Sequence, residues 1–205
     1  MPRFIIVYGD KGLGAHNAGR LFEWSAATHK SEVEHHQFPG VPAPGSATIE
    51  VTHISSVSDL VNDITQGPVA YLAYFGHSWS SPGMGSWLFI GETATAGSNL
   101  SAVRSATEAP VTDIPKNKFV PGAQIRLFGC RAGYGPASIA AELHNDLGVA
   151  VFAYENSGGS LFTQDAALGH GQRAVTRADI NFTKFKPTAN TWLVPINGIP
   201  TFRRF

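Results

Sequence analysis

Val69-Ala-Tyr-Leu-Ala-Tyr-Phe-Gly-His77 and Gln124-Ile-Arg-Leu-Phe-Gly-Cys130 are two apolar runs, each ending in a glycine and then a side chain able to do chemistry. Short apolar runs bounded by turn residues read as strands buried on both faces, which is the habit of a parallel sheet covered by helices. Open sheets of that kind bind ligands at the carboxyl ends of their strands. An imidazole and a thiol therefore stand at two strand ends. Cys130 is the only cysteine in the chain, so it can form no internal disulfide.

Working outward from these runs, strands and helices alternate. Arg3-Phe-Ile-Ile-Val-Tyr8 is β-branched and aromatic and stops at Gly9-Asp10, which predicts a first strand. His16 to His29 carries Leu21, Phe22, Trp24 and Ala26-Ala27 at helical spacing, and predicts a helix. Either Glu32 to Phe38 or Thr48 to Ile54 supplies the second strand, with Pro39-Gly-Val-Pro-Ala-Pro-Gly45 as loop between them. Ser56 or Ser58 caps a helix through Leu60, Val61 and Ile64, closed by Gly67-Pro68. Ser138 to Leu147 predicts another amphipathic helix, with Gly148 at its carboxyl end, and Val149-Ala-Val-Phe-Ala-Tyr154 a further buried strand.

Two stretches have weaker patterns. From Ser78 to Asn117, turn-rich Ser80-Ser-Pro-Gly-Met-Gly85 and an aperiodic Ala/Ser/Thr segment predict a functional loop or lid, with one short strand at Trp87-Leu-Phe-Ile90. After Glu155, Ile180-Asn-Phe-Thr-Lys-Phe185 and Thr191-Trp-Leu-Val194 predict edge strands on the same sheet. No repeat or composition break divides residues 1–205, so the expectation is a single α/β domain: a mostly parallel central sheet with helices on both faces.

Composition narrows the function. With 205 residues and 43% hydrophobic content the chain can bury a core of its own. Fifteen basic residues balance fifteen acidic ones, and no Lys/Arg cluster exceeds Arg203-Arg204, which argues against nucleic acid as a partner. No apolar window reaches about 18 residues and no signal-peptide pattern opens the chain, which argues against a membrane. A single thiol suits the cytoplasm, or delivery into a target cell by a specialised secretion system.

The strand-Gly76-His77-Ser78 and strand-Gly129-Cys130-Arg131-Ala132-Gly133 motifs, with the cysteine 53 positions after the histidine, resemble the caspase-like cysteine peptidases. That group includes CHAT-, gingipain- and clostripain-type domains, and a His-to-Cys spacing of about 50 residues is typical of caspases. Two details differ from the usual pattern: Ser78 follows the histidine where Gly is common, and Ala132 separates Arg131 from Gly133. The resemblance covers residues 3 to 155 in order of elements and implies a caspase-like three-layer fold and a cysteine endopeptidase.

In the implied reaction Cys130 attacks a peptide carbonyl and His77 protonates the leaving amine, with no metal and no cofactor. Backbone N–H groups at Ser78 and Gly129-Cys130 would stabilise the oxyanion. A nearby imidazole, and the amino terminus of a helix beginning near Pro136, would both raise the thiolate fraction of Cys130. Asp10, Arg131, Glu155 and Asp165 are candidate substrate-binding residues. Glu155 and Asp165 follow the last buried strand, where such peptidases place the pocket for the residue before the scissile bond, and a carboxylate there would favour a basic side chain. Trp79, Trp87 and Phe162 could wall the groove. The implied partners are a protein or peptide substrate and, for a bacterial effector or toxin, an inhibitor or immunity protein.

Other readings stay open at the level of sequence. A lone cysteine or histidine is by itself most often core, and a caspase-like interaction module without activity would carry the same residues as relics. Gly9-Asp-Lys-Gly-Leu-Gly-Ala-His-Asn-Ala-Gly19 is a glycine-rich loop after a strand, but it lacks the Gly-Lys-[Ser/Thr] ending of a phosphate-binding loop. His29, His35-His36, His53 and Glu34 form no metal-ligand frame and predict solvated histidines.

Overall fold

The first strand, β1 (Arg3–Tyr8), is buried along its middle four residues, so it must lie inside a sheet that is covered on both sides. The computed structural model describes residues 1–9, 18–36, 40–81, 85–91, 99–101, 108–129, 131–154, 161–163, 191–193 and 202–204. β1 pairs in parallel with β2 (Ile49–His53) on one side and β3 (Val69–Phe75) on the other. β8 (Phe119–Phe128) continues the parallel ladder from β3, and β9 (Ala150–Tyr154) from β8. At the far edge β12 (Phe202–Arg204) runs antiparallel to β9, so the order is β2-β1-β3-β8-β9-β12.

Alternation along the strands assigns each face its helices. α1 (Ala18–Glu34) packs Phe22, Ala26 and Val33 on Phe4, Ile6, Tyr71, Ala73, Phe75 and Phe128. The opposite face, with Ile5, Val7, Leu72, Tyr74, Ile125, Leu127 and Val151, is covered by α2 (Val57–Thr65) and α3 (Ile139–Leu147). The chain is thus a mixed α/β protein with a mostly parallel central sheet and helices on both faces. Among the described residues no helix is long and apolar enough to cross a membrane.

Helix boundaries follow local chemistry. The Asp59 N–H donates to Ser56 Oγ at 3.2 Å, so Ser56 caps α2, while Asp59 Oδ2 accepts from Ser55 N and holds that carboxyl below its usual range. The Ala141 N–H donates to Ser138 Oγ at 3.3 Å, and Gly148 ends α3 in the left-handed conformation at φ 70°. Ser138 is fully buried. Ser138→Ala strands the Ala141 amide and is expected to cost about 1 kcal/mol, seen as a fall in melting temperature of about 2–4 °C.

Four sequence expectations change. The first helix extends to Glu34, so Glu32 to Phe38 supplies no strand and Thr48 to Ile54 contains β2. The described residues after Gly76 hold more strand than the one predicted at Trp87-Leu-Phe-Ile90: β4 (His77–Ser81), β5 (Gly85–Phe89), which contains most of that predicted strand, β6 (Asn99–Ser101) and β7 (Ala109–Pro110) form a second sheet. Its inward residues are partly serines, whose polarity disguises a strand. Ser80 and Ser86 hydrogen-bond to each other, and Ser86 Oγ accepts the Ile139 N–H of α3 at 2.7 Å. Third, β11 (Thr191–Leu193) pairs antiparallel with β10 (Leu161–Thr163) in a separate two-stranded sheet and not with the central sheet. Finally, the edge position is taken by β12, whose Arg203 and Arg204 read in the sequence as a terminal basic pair. Residues 180–185 lie outside the described residues.

Candidate functional site

Three adjacent parallel strands end on an aromatic residue followed by glycine. Tyr8 of β1 is in register with Phe75 of β3, and Phe75 with Phe128 of β8. Gly9, Gly76 and Gly129 follow them, and then come positions 10, 77 and 130. Parallel neighbours lie about 4.8 Å apart, so one register carries these three strand ends to one edge of the sheet. The rings of Phe75 and Phe128 stack beneath that edge at 4.2 Å between centroids.

The glycines are required by close approach. A Cβ on Gly129 would overlap Ser78 Oγ and stand 2.8 Å from Ser78 Cβ and 3.1 Å from the Gly76 carbonyl. A Cβ on Gly76 would overlap the Tyr74 hydroxyl. That hydroxyl lies 3.1 Å from the His77 carbonyl and 2.8 Å from the Phe89 carbonyl, and so pins the start of β4 against β5. Burial pushes the Tyr74 phenol well above its ordinary pKa, which keeps it a neutral donor.

His77 opens β4, opposite Phe89. Its ring meets Phe22 of α1 edge to face, with centroids 5.0 Å apart at 89°. Nε2 is buried and has no hydrogen-bond partner among the described residues. Burial lowers the pKa of His77 from 6.5, because the cation would lose its hydration. The imidazole is therefore neutral at neutral pH, able to take up a proton and return it. The unfolded state binds a proton here before the folded state does, so the stability owed to this histidine is present above pH 6.5 and lost as pH falls through the lowered folded value. Urea melts at pH 5 and pH 7 are expected to show that pH loss shrinking in His77→Gln, with the His77 resonance titrating below 6.5.

Ser78 is buried and lies against Gly129, so the two residues expected to frame an oxyanion are neighbours. Arg131 is the first described residue after Gly129, and its φ of 58° puts a non-glycine residue in the left-handed region, which costs about 1–3 kcal/mol. Its guanidinium carbon stands 5.0 Å from the Trp79 ring centroid and 5.7 Å from that of Tyr134. No ion pair reaches it among the described residues. Cys130, Asp10, Glu155 and Asp165 lie outside the described residues, as do residues 10–17 of the glycine-rich loop and Phe162's side chain.

The start of the third helix also differs from the expectation. The helix predicted near Pro136 begins at Ile139, and its first-turn amides are already used: Ile139 N–H by Ser86 Oγ, Ala140 N–H by the Ala132 carbonyl at 3.1 Å, and Ala141 N–H by Ser138 Oγ. Those donors are engaged within the fold.

Sequence reasoning missed three supports of the site: Phe22, Tyr74 and Tyr134. The Phe22, Ala26, His29 and Val33 spacing was the available signal for the α1 face. His29 was expected to be solvated, yet it is 2% exposed, with Nε2 2.7 Å from the Tyr71 hydroxyl and its ring 4.9 Å from that of Phe128. His35, His36 and His53 are exposed as predicted. Among the described residues no group of three or more His, Cys, Asp or Glu side chains is placed to hold a metal. An open cleft of about 450 Å³ between α1 and β2, lined by Tyr8, Glu23, Lys30 and Glu34, does not include His77.

No protein-family model matches the chain, and no curated protein does.

Proposed function

We propose that this chain is a caspase-like cysteine endopeptidase in which His77 and Cys130 form the catalytic dyad. The observation that carries the reading is the register of β3 against β8: Phe75 is opposite Phe128, so the histidine and cysteine positions each come two residues beyond paired positions on neighbouring strands. A half-buried, neutral imidazole whose buried Nε2 has no partner among the described residues supports it.

In this mechanism the thiol proton passes from Cys130 Sγ to His77 as sulfur bonds to the carbonyl carbon. The oxyanion is held by backbone N–H groups near Ser78 and Gly129. The C–N bond then breaks as His77 delivers that proton to the leaving amine, giving a thioester. Water attacks the thioester, its proton goes by way of His77 to sulfur, and the acid product leaves. Asp10, Glu155 and Asp165 remain proposed contacts for the substrate, and an inhibitor or immunity protein is the proposed partner of a delivered effector.

The test is mass-spectrometric labelling of the intact chain with peptidyl acyloxymethyl ketones bearing Arg, Lys, Asp or Leu next to the reactive carbonyl. Modification of Cys130 that depends on His77 is the expected result. An accessible Cys130 that stays unlabelled in folded protein by every member of the panel overturns it.

A further inference from the structure

Trp79 and Tyr134 are each 43% exposed and, Met1 apart, are the large apolar side chains left in solvent among the described residues. Both lie against Arg131. The pair comes from different elements, Trp79 from the middle of β4 and Tyr134 from the turn before α3. A guanidinium flanked by two half-exposed aromatic rings is a surface suited to a ligand.

A guanidinium stacked on aromatic faces keeps its in-plane N–H donors for a ligand, and stacking removes much of the rotamer freedom a free arginine would lose on binding. Arg131 has no carboxylate partner among the described residues, and its left-handed backbone fixes where the side chain leaves the turn. A planar cation held this way matches a carboxylate, which it can engage through two parallel hydrogen bonds. Strand alternation gives the direction. Ser78 and Ser80 are buried, so His77 and Trp79 share the other side of β4.

We infer that Trp79, Arg131 and Tyr134 form a recognition site for a peptide carboxylate. Its location on the leaving-group side of the scissile bond rests on the peptidase reading, since the histidine that protonates the leaving amine and Trp79 face the same way. The acidic group thus belongs to the segment released first.

The test uses the full chain carrying Cys130→Ala, so that binding is read without turnover. Fluorescent peptides that differ only by Glu or Gln, all with amidated ends, are titrated by anisotropy, alongside a neutral peptide with a free carboxyl end. The Glu peptide is expected to bind about fivefold tighter than the Gln peptide or better, the preference vanishing in Arg131→Gln and Trp79→Ala and weakening in Arg131→Lys. Tyr134→Ala, an exposed substitution, provides the same comparison should Arg131→Gln fail to fold. A preference for the free carboxyl end that Arg131→Gln abolishes also upholds the site and names the chain terminus as the carboxylate source.

Equal binding of the Glu and Gln peptides together with indifference to the free end overturns the proposal, as does a Glu preference untouched in both Arg131→Gln and Trp79→Ala. Cleavage mapping with the active chain then separates the two claims. A Glu preference before the cut and none after it overturns the leaving-group assignment. Carboxylate binding in a chain that never cleaves or labels leaves the carboxylate site standing and removes the peptidase.

Discussion

Replacing His77 with Ala is expected to slow hydrolysis of a peptide substrate, and alkylation of Cys130 by its best peptidyl ketone, by about 100- to 10,000-fold. In the proposed mechanism the imidazole has two tasks, taking the thiol proton and protonating the amine. Among the described residues the ring meets Phe22, and His77 pairs across the sheet with Phe89; neither side chain titrates. The first-turn amides of α3 are engaged within the fold. Cys130→Ala removes the nucleophile and is expected to abolish turnover. The acid limb of kcat/KM for the native chain should fall below pH 6.5, because burial has moved the His77 proton affinity downward. Single-turnover rates measured against pH decide this: a rate that ignores His77→Ala would remove the histidine from the mechanism.

Gly129→Ala and Gly76→Ala are expected to cost about 3 kcal/mol each, at the upper end of what overpacking does, and to lower the melting temperature by about 6–12 °C. In each case the new methyl meets something specific. At Gly129 it runs into the Ser78 side chain with the Gly76 carbonyl behind it, and at Gly76 into the Tyr74 ring and hydroxyl. Specific obstacles make specific rescues. Ser78→Gly should recover much of the loss of Gly129→Ala, and Tyr74→Phe part of that of Gly76→Ala, whereas the crossed pairs should merely add. Urea denaturation of the two cycles provides the coupling energies. An undisturbed Gly129→Ala would mean that Ser78 does not pack on the β8 end, and the oxyanion arrangement would fall with it.

Both effects come from the same construction. The proposed nucleophile at a strand end needs its neighbours close, and side chains on the residues just after β3 and β8 would hold the backbones apart. Phe-Gly at both ends resolves this by placing the ring under the sheet edge, where Phe75 and Phe128 stack, and leaving the next position bare. Beneath them His29 sits among Tyr71, Phe75 and Phe128 with its nitrogen on the Tyr71 hydroxyl, which satisfies a polar group at a depth where an unpaired one would cost about 1–3 kcal/mol.

Much of the central sheet was legible because its signal is periodic and local. Ile5 and Val7 alternate with Phe4 and Ile6, Ser56 and Ser138 stand where caps belong, and Gly148 ends its helix. Beyond the strand at Trp87-Leu-Phe-Ile90 the second sheet was not legible, since Ser80 and Ser86 are buried only because each supplies the other's hydrogen bond and Ser86 also receives an amide from α3. Their polarity is that of a loop until the partners are in place. The extension of α1 through Glu32 and the burial of His29 were hidden for the same reason, as Tyr71 is 42 positions away from its histidine.

The sequence by itself determined the alternation of strands and helices and the aromatic-Gly endings that carry His77 and Cys130, because those depend on side-chain period and on residues adjacent in the chain. Only the tertiary structure decided that β3 and β8 are neighbours in register, that the α3 amides are already spent, and that Trp79 and Tyr134 close on Arg131. Register, hydrogen-bond saturation and ring stacking are relations between segments far apart in sequence, and no local pattern of residues encodes them.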